Sequence, residues 1–276
     1  MNEDVAVLRV ALLQTAPRLG EVSANLKDLH ERLNQVSGAD IAVTPELALH
    51  GYHLGSLTDV EPVGADDPRI ADLSRYGPAV IVGFAEAQRH HRYNSAAIVD
   101  GGQVRMVQRK LYLPNYRDWE ERKHFRPGDR LRCIDIRGVR LAVLICNDLW
   151  QPPLLWLAAH DDAEVLIVIA NSVHSQPAAD VRRVWDLLIA HAAVTAQCHV
   201  VFVNRSGTEN DRRFWGGSCV VGPDGQTLVR LGEDPDTVEV KLDLAMVRDL
   251  RRRWPLLQEP RFELIARETA RLAAQQ

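Results

Sequence analysis

The sequence predicts a mixed α/β layered sandwich. Three observations carry that prediction. Short β-rich apolar runs recur along nearly the whole chain, two or three long helical stripes are interleaved with them, and several runs come in adjacent pairs joined by turns such as Asp100-Gly101-Gly102 and Pro223-Asp224-Gly225. Paired runs closed by tight turns read as antiparallel hairpins, which a purely parallel barrel does not contain.

Taken in order, the segment from Val5 to Gln14 is an almost unbroken apolar run, the pattern of a strand buried on both faces. Glu21 to Val36 follows with Val22, Leu26, Leu29 and Leu33 at spacings of three and four, one stripe of a helix. Asp40 to Thr44 is a short strand stopped by Pro45. Ala79 to Ala85, Ser95 to Val99, Val104 to Tyr112, Leu131 to Ile136 and Val139 to Ile145 are each short, β-rich and closed by Gly, Asp, Asn or Pro, and read as strands. Pro153 to His160 reads as a helix leading into a strand from Glu164 to Ala170. Ala179 to Cys198 sets Val181, Val184, Trp185, Leu188 and Ala192 on one helical face. Val200 to Asn204, Cys219 to Gly222 and Val238 to Leu242 complete the strands. No repeat, low-complexity tract or linker divides the chain, so one domain over residues 1–250 is expected. Residues 251–276 are expected to cross the surface to a final helix, a tail packing on the domain or on a partner subunit.

Composition narrows the function classes. The 276 residues are 46% hydrophobic and 25% charged, ordinary for a globular protein with a sizeable core. Lys and Arg number 33 against 37 Asp and Glu, a net charge of −4, so no overall field draws the chain to nucleic acid or an anionic membrane. The longest apolar stretch, Val165 to Ala170, has six residues, where a spanning helix needs about 20. Glu3, Asp4 and Arg9 do not fit a secretory signal, which points to the cytoplasm. Cys133, Cys146, Cys198 and Cys219 lie far apart without a CxxC pair, as reduced thiols do.

Several chemistries fail on spacing. P-loop, GxGxxG, GxSxG and HExxH patterns are absent. Gly216-Gly217-Ser218-Cys219-Val220 lacks the closing glycine of a serine elbow and reads as a strand entry. His50, His53, His90 and His91 have no carboxylate or cysteine companions at ligand spacing, so no metal is expected. The run Arg251 to Arg253 reads as a solvated face or subunit contact rather than an anion site.

Three reactive residues remain, each just after an apolar run, where α/β folds collect their active sites. Cys146 follows Leu141 to Ile145 and precedes Asn147-Asp148; it is either a small buried hydrophobe or a thiol presented on a sharp turn beside backbone N–H groups. Glu46 follows Asp40 to Pro45, either compensating a helix dipole or serving as a desolvated general base. Lys110 ends the run from Val104, and either snorkels to solvent or stands in a pocket as a fixed cation.

These residues and their surroundings resemble the carbon–nitrogen hydrolases of the nitrilase superfamily. The resemblance rests on Thr44-Pro45-Glu46-Leu47 with Gly51-Tyr52, Arg109-Lys110 with Leu113-Pro114-Asn115-Tyr116, and Leu144-Ile145-Cys146-Asn147-Asp148-Leu149-Trp150. It continues through Phe125-Arg126-Pro127-Gly128, Asn204-Arg205-Ser206-Gly207-Thr208-Glu209 and Gly216-Gly217-Ser218, covering nearly the whole chain in order. It implies a four-layer αββα sandwich, usually a homo-oligomer, with a triad in which Glu46 is the general base, Lys110 the oxyanion cation and Cys146 the nucleophile. It implies a second carboxylate at Glu121, unless the register slips by one to Glu120. No cofactor is implied.

The implied activity is thiol-dependent hydrolysis of a small linear amide or N-carbamoyl compound through a thioester, with a nitrile or a non-catalytic scaffold as alternatives. The block from Lys110 to Phe125 looks most like the glutamine-amidase part of NAD synthetases, although no synthetase domain follows in this chain, and an ω-amide is the leading substrate expectation. Tyr116, Asn147, Trp150, Asn171, Ser172 and His174 are the expected substrate contacts.

Overall fold

Strands with apolar residues at every position cannot sit on a solvated sheet, and the three layers of core in this protein show where both faces go. The computed structural model describes residues 6–275 apart from 54, 56–59, 117–118 and 175–179. The first half of the chain gives β1 (Val7–Gln14), α1 (Val22–Gln35), β2 (Ile41–Val43), α2 (Pro68–Asp72), β3 (Ala79–Gln88), β4 (His91–Asp100) and β5 (Gln103–Arg109). A small hairpin, β6 (Asn115–Tyr116) and β7 (Trp119–Glu120), leads into α3 (Glu121–His124). The second half gives β8 (Ile134–Ile136), β9 (Val139–Ile145), α4 (Pro152–His160), β10 (Val165–Ala170), α5 (Val181–Ala196) and β11 (His199–Asn204). Then come the hairpin β12 (Ser206–Glu209) and β13 (Arg212–Trp215), β14 (Cys219–Val221), β15 (Thr227–Arg230), β16 (Asp236–Asp243), α6 (Leu244–Arg253) and α7 (Phe262–Ala273).

Two six-stranded sheets result, ordered β16-β1-β2-β3-β4-β5 and β15-β14-β11-β10-β9-β8. Each has three parallel strands at its centre, β1-β2-β3 in one and β9-β10-β11 in the other, with antiparallel strands outside. Side chains alternate across each strand, so one residue set meets the other sheet and the next meets a helix layer. Val10 and Leu12 of β1 face Val143 and Ile145 of β9 and Ile167 of β10 between the sheets. Ala11 and Leu13 face the other way, onto Leu26, Leu29 and Leu33 of α1. Leu166 and Val168 of β10 face Leu155 of α4 and Trp185, Ile189 and Ala193 of α5. The layers therefore run helix, sheet, sheet, helix.

Most expected elements stand, with edges corrected. The run expected to continue to Tyr112 leaves the sheet at Arg109, so Lys110 sits just past a strand end. Leu131 to Ile136 is a strand only from Ile134. β3 and β4 extend beyond their apolar cores into a polar ribbon, where buried Glu86 pairs with Arg109 at 2.6 Å. Val5 and Ala179, given to a strand and a helix, lie outside the described residues. The β4–β5 turn carries both central residues, Gly101 and Gly102, at positive φ (58° and 74°), the two-residue geometry that matches sheet twist.

Arg251 to Arg253 end helix α6 rather than lying in a crossing segment. Arg251 donates to the carbonyls of Ala163, Ala196 and Gln197 where α5 ends, and Arg253 pairs with Asp249 at 2.8 Å. Helix α7 buries none of its residues; Phe262 meets Trp156 edge-on at 5.3 Å.

Leu12 is fully buried between the sheets. Leu12→Ala removes three methylene-sized groups from a close-packed layer and is expected to lower the unfolding free energy by about 2–5 kcal/mol, measured by urea denaturation.

Candidate active site

Glu46, Lys110, Glu121 and Cys146 converge at one end of the sandwich, although residues 46 and 146 come from different sheets. Thr44 N–H donates to Ile81 O, and the Thr44 hydroxyl accepts from Gly83 N–H at 3.1 Å, so the Thr44–Leu47 segment lies against β3. Gly83 is required there: a Cβ would collide with the Pro45 carbonyl oxygen and lie 2.7 Å from Leu47 N. Leu47 takes φ +49°, a costly conformation for a leucine, held by full burial of its side chain.

Lys110 is fixed from both sides, its N–H donating to Asn94 O and its carbonyl accepting from Gly128 N–H, each at 2.8 Å. Its Nζ lies 2.7 Å from Glu46 Oε1 and 2.7 Å from Glu121 Oε1. Asn94 Nδ2 donates to Glu46 Oε1 at 2.7 Å, and Tyr52 OH donates to Glu121 Oε1 at 2.6 Å. All three charged side chains are fully buried. The second oxygen of each glutamate, Oε2, has no partner among the described residues.

Cys146 follows β9 directly and opens a 3-10 turn over Cys146–Trp150, with φ +49°. Asp148 secures that turn. Its Oδ2 accepts from Ile145 N–H at 3.1 Å, and its Oδ1 accepts from Leu111 N–H at 3.0 Å and Tyr112 N–H at 2.8 Å. One buried carboxylate thus ties the strand end that carries Lys110 to the elbow that carries Cys146.

The electrostatics follow from burial and neighbours. Burial lowers the Lys110 pKa, but Glu121 and Glu46 outweigh it and hold the ammonium well above the ordinary lysine range. Burial raises Glu121, with Lys110 opposing and Glu46 adding to the rise. Burial and then the negative charge of Glu46 push the Cys146 thiol well up, against the pull of Lys110 and of the Asn171 N–H. The shift favours the protonated thiol. Burial raises Asp148 to about 7 in spite of its three N–H donors.

A cavity of about 280 Å³ opens over Cys146. The carbon–nitrogen hydrolase family model matches residues 9–252.

The chain belongs to the carbon–nitrogen hydrolase family.

This hydrolase is 32% identical over 269 residues to the (R)-stereoselective amidase of a Pseudomonas species, covering 95% of this chain and 94% of that one. It is 30% identical over 248 residues to the glutamine-dependent NAD(+) synthetase of Thermotoga maritima, covering 86% of this chain but 42% of the synthetase. Among solved structures, a variant amidase from Nesterenkonia sp. AN1 superposes with a TM-score of 0.77 at 27% identity, covering 90% of this chain and 96% of that one. That amidase carries the acetamide moiety of fluoroacetamide covalently on its active-site cysteine. The nitrilase-superfamily fold of these neighbours is the αββα arrangement seen here.

Of the residues expected from the hydrolase's sequence, Glu46, Lys110, Glu121 and Cys146 meet. Glu121 rather than Glu120 is the second carboxylate: Glu120 is exposed and pairs with Lys123 at 2.6 Å. Tyr116, Asn147, Trp150, Asn171 and Ser172 all line the cavity. His174 is not in that lining; its Nε2 lies 3.7 Å from Glu233. His174 was expected in the loop after the strand that ends at Ala170; that loop instead runs along β13, with Val173 bridging to Phe214 and the His174 N–H donating to Arg213 O.

Sequence reasoning missed Asn94, Tyr52, Asp148 and a second buried cluster. Arg205, under Phe214 at 4.2 Å, donates to Glu209 Oε2 at 2.6 Å and to Pro17 O at 2.9 Å. Glu209 in turn accepts the Tyr52 N–H at 3.0 and 3.1 Å, fixing the loop whose hydroxyl reaches Glu121. Polar residues embedded in apolar stretches, such as Asn94 before Ser95 to Val99, were the available signal.

Removing Asp148 by Asp148→Ala orphans one buried and two part-buried N–H groups and is expected to cost about 3 kcal/mol of stability, against about 1 kcal/mol or less for Glu120→Ala in its exposed pair, by chemical denaturation. His50 supplies a pH test. It accepts the Ala85 N–H at Nδ1 (3.1 Å), and burial, then Arg92 and Arg69, lower its pKa to about 4. The unfolded chain takes up this proton near 6.5 and the folded one only near 4, so the stability it contributes is whole above pH 6.5 and is lost as pH falls toward 4. His50→Gln is expected to flatten the urea midpoint between pH 6.5 and 4.5; an unchanged slope would refute this.

Proposed function

We propose that this hydrolase cleaves a small linear amide through a cysteine thioester, with Glu46, Lys110 and Cys146 as its catalytic groups. The observation that carries the proposal is the Lys110 ammonium held 2.7 Å from two buried glutamates behind the only thiol that lines the cavity among the described residues. Glu46 keeps one oxygen on Lys110 and Asn94 and leaves Oε2 unpaired, the acceptor available to the Cys146 proton. The thiolate attacks the carbonyl carbon, and negative charge moving to oxygen meets Lys110 and the Asn147 backbone N–H. Collapse passes the proton from Glu46 to nitrogen and expels ammonia, leaving the acyl group on sulfur. Glu46 then takes a proton from water, which attacks the thioester and frees the acid and the thiol. Glu121 holds Lys110 in place from the far side.

The cysteine adduct of the Nesterenkonia amidase supports this reading, as does the amidase named among the relatives of similar length. The four unpaired cysteines fit a reducing, cytoplasmic setting. Exposed Trp254, Phe262 and Ile265 in the 251–276 tail fit its packing on a second copy in a homo-oligomer.

The test is ammonia release across primary amides, N-carbamoyl compounds and nitriles. Cys146→Ala is expected to abolish turnover, a loss of several orders of magnitude, and Lys110→Met to cost at least about 10²–10³-fold in kcat. Release confined to nitriles would turn the assignment to a nitrilase, and an active Cys146→Ala enzyme would end it.

A further inference from the structure

One residue of the cavity is left with nothing to do. Asn171, directly after β10, is 2% exposed, and both its Nδ2 and its Oδ1 lack a partner. Two other polar side chains of the lining are engaged. Ser172 Oγ accepts from the indoles of Trp185 and Trp215, each at 2.9 Å, and Asn147 Nδ2 donates to Tyr112 O at 3.0 Å. An unpaired buried amide is destabilising, a burden native folds keep where a ligand relieves it. Asn171 and Cys146 line the same cavity.

The remaining wall is aromatic. Trp150 stands edge-on to Trp185 at 5.8 Å, and Trp119 edge-on to Tyr52 at 5.5 Å. None of the described lining residues carries a charge, and the Lys110 ammonium behind them is matched by two carboxylates. Among the described lining residues, the ammonium and carboxylate of an amino-acid substrate would find no charged partner, an expensive desolvation.

We infer that Asn171 sets specificity, and that the substrate is an uncharged carboxamide with an apolar or aromatic body and a second neutral donor–acceptor group, a hydroxyl or an amide, one or two bonds from the scissile carbon. This rests on the amidase reading of the same site. The second group both gives and takes a hydrogen bond, which matches the two vacancies of the Asn171 amide. Sites built to bond such a group reject analogues that lack it, because the protein's own polar atoms are then buried unpaired.

The test compares 2-hydroxy-2-phenylacetamide, phenylacetamide and L-glutamine by ammonia release. The native enzyme is expected to favour the hydroxylated amide over phenylacetamide by about 10–10²-fold in kcat/KM. Asn171→Leu, of similar volume, is expected to bring that ratio to about 1 while its melting temperature stays level or rises, a combination that damage to the fold would not produce. An equal ratio in both proteins, or a native preference for phenylacetamide or L-glutamine, overturns the inference and leaves the amidase reading standing. Failure of all three compounds while other amides are cleaved also overturns it; failure of every amide removes the amidase reading and the inference together. Should Asn171→Leu not fold, Asn171→Ser and the native ratio decide.

Discussion

The arrangement depends on burying an ammonium. Taking Lys110 out of water is costly, and the cost is met only because Glu46 and Glu121 each place an oxygen 2.7 Å from Nζ. That requirement propagates outward. Each glutamate oxygen facing Lys110 takes a second donor, Asn94 for Glu46 and Tyr52 for Glu121, and each donor is held by backbone bonds of its own. A cluster with one cation and two carboxylates tolerates no rotamer freedom, so the pocket arrives preorganised, with donors and charges in place before a substrate enters.

Much of this was legible in the sequence because the strands of a two-layer sandwich buried on both faces read as continuous apolar runs, and because β2, β5 and β9 each hand the chain to a reactive residue at their ends. Glu46, Lys110 and Cys146 could be found that way. The short hairpins β6–β7 and β12–β13 could not, since neither has a hydrophobic period: Asn115, Tyr116 and Glu120 are exposed and anchored by no core. Asp148 was hidden for a different reason. A carboxylate beside a candidate nucleophile looks like a turn residue, and only its three N–H partners, two of them from residues 111 and 112, reveal a brace between distant strand ends.

Strain collects where chemistry is placed. Leu47 and Cys146 both sit at positive φ, one immediately after the carboxylate and the other at the thiol itself. Neither residue type favours that region, so the surrounding structure must hold it there, and it does so with Gly83 under one turn and Asp148 under the other. The two sheets thereby aim their side chains at each other across the end of the sandwich.

The tether of Tyr52 to Glu209 and Arg205 shows how late in folding the pocket becomes complete. Its partners are separated by 157 residues along the chain, and Arg205 reaches back 188 residues to Pro17. Contacts within residues 46–121 place Glu46, Lys110 and Glu121, but the Tyr52 loop is tied down by Glu209, far along the chain. Loop-closure entropy of that span is recovered only once both sheets have docked. The Tyr52 loop therefore cannot be tied down until residue 209 has been made and has folded back against residues 17 and 52.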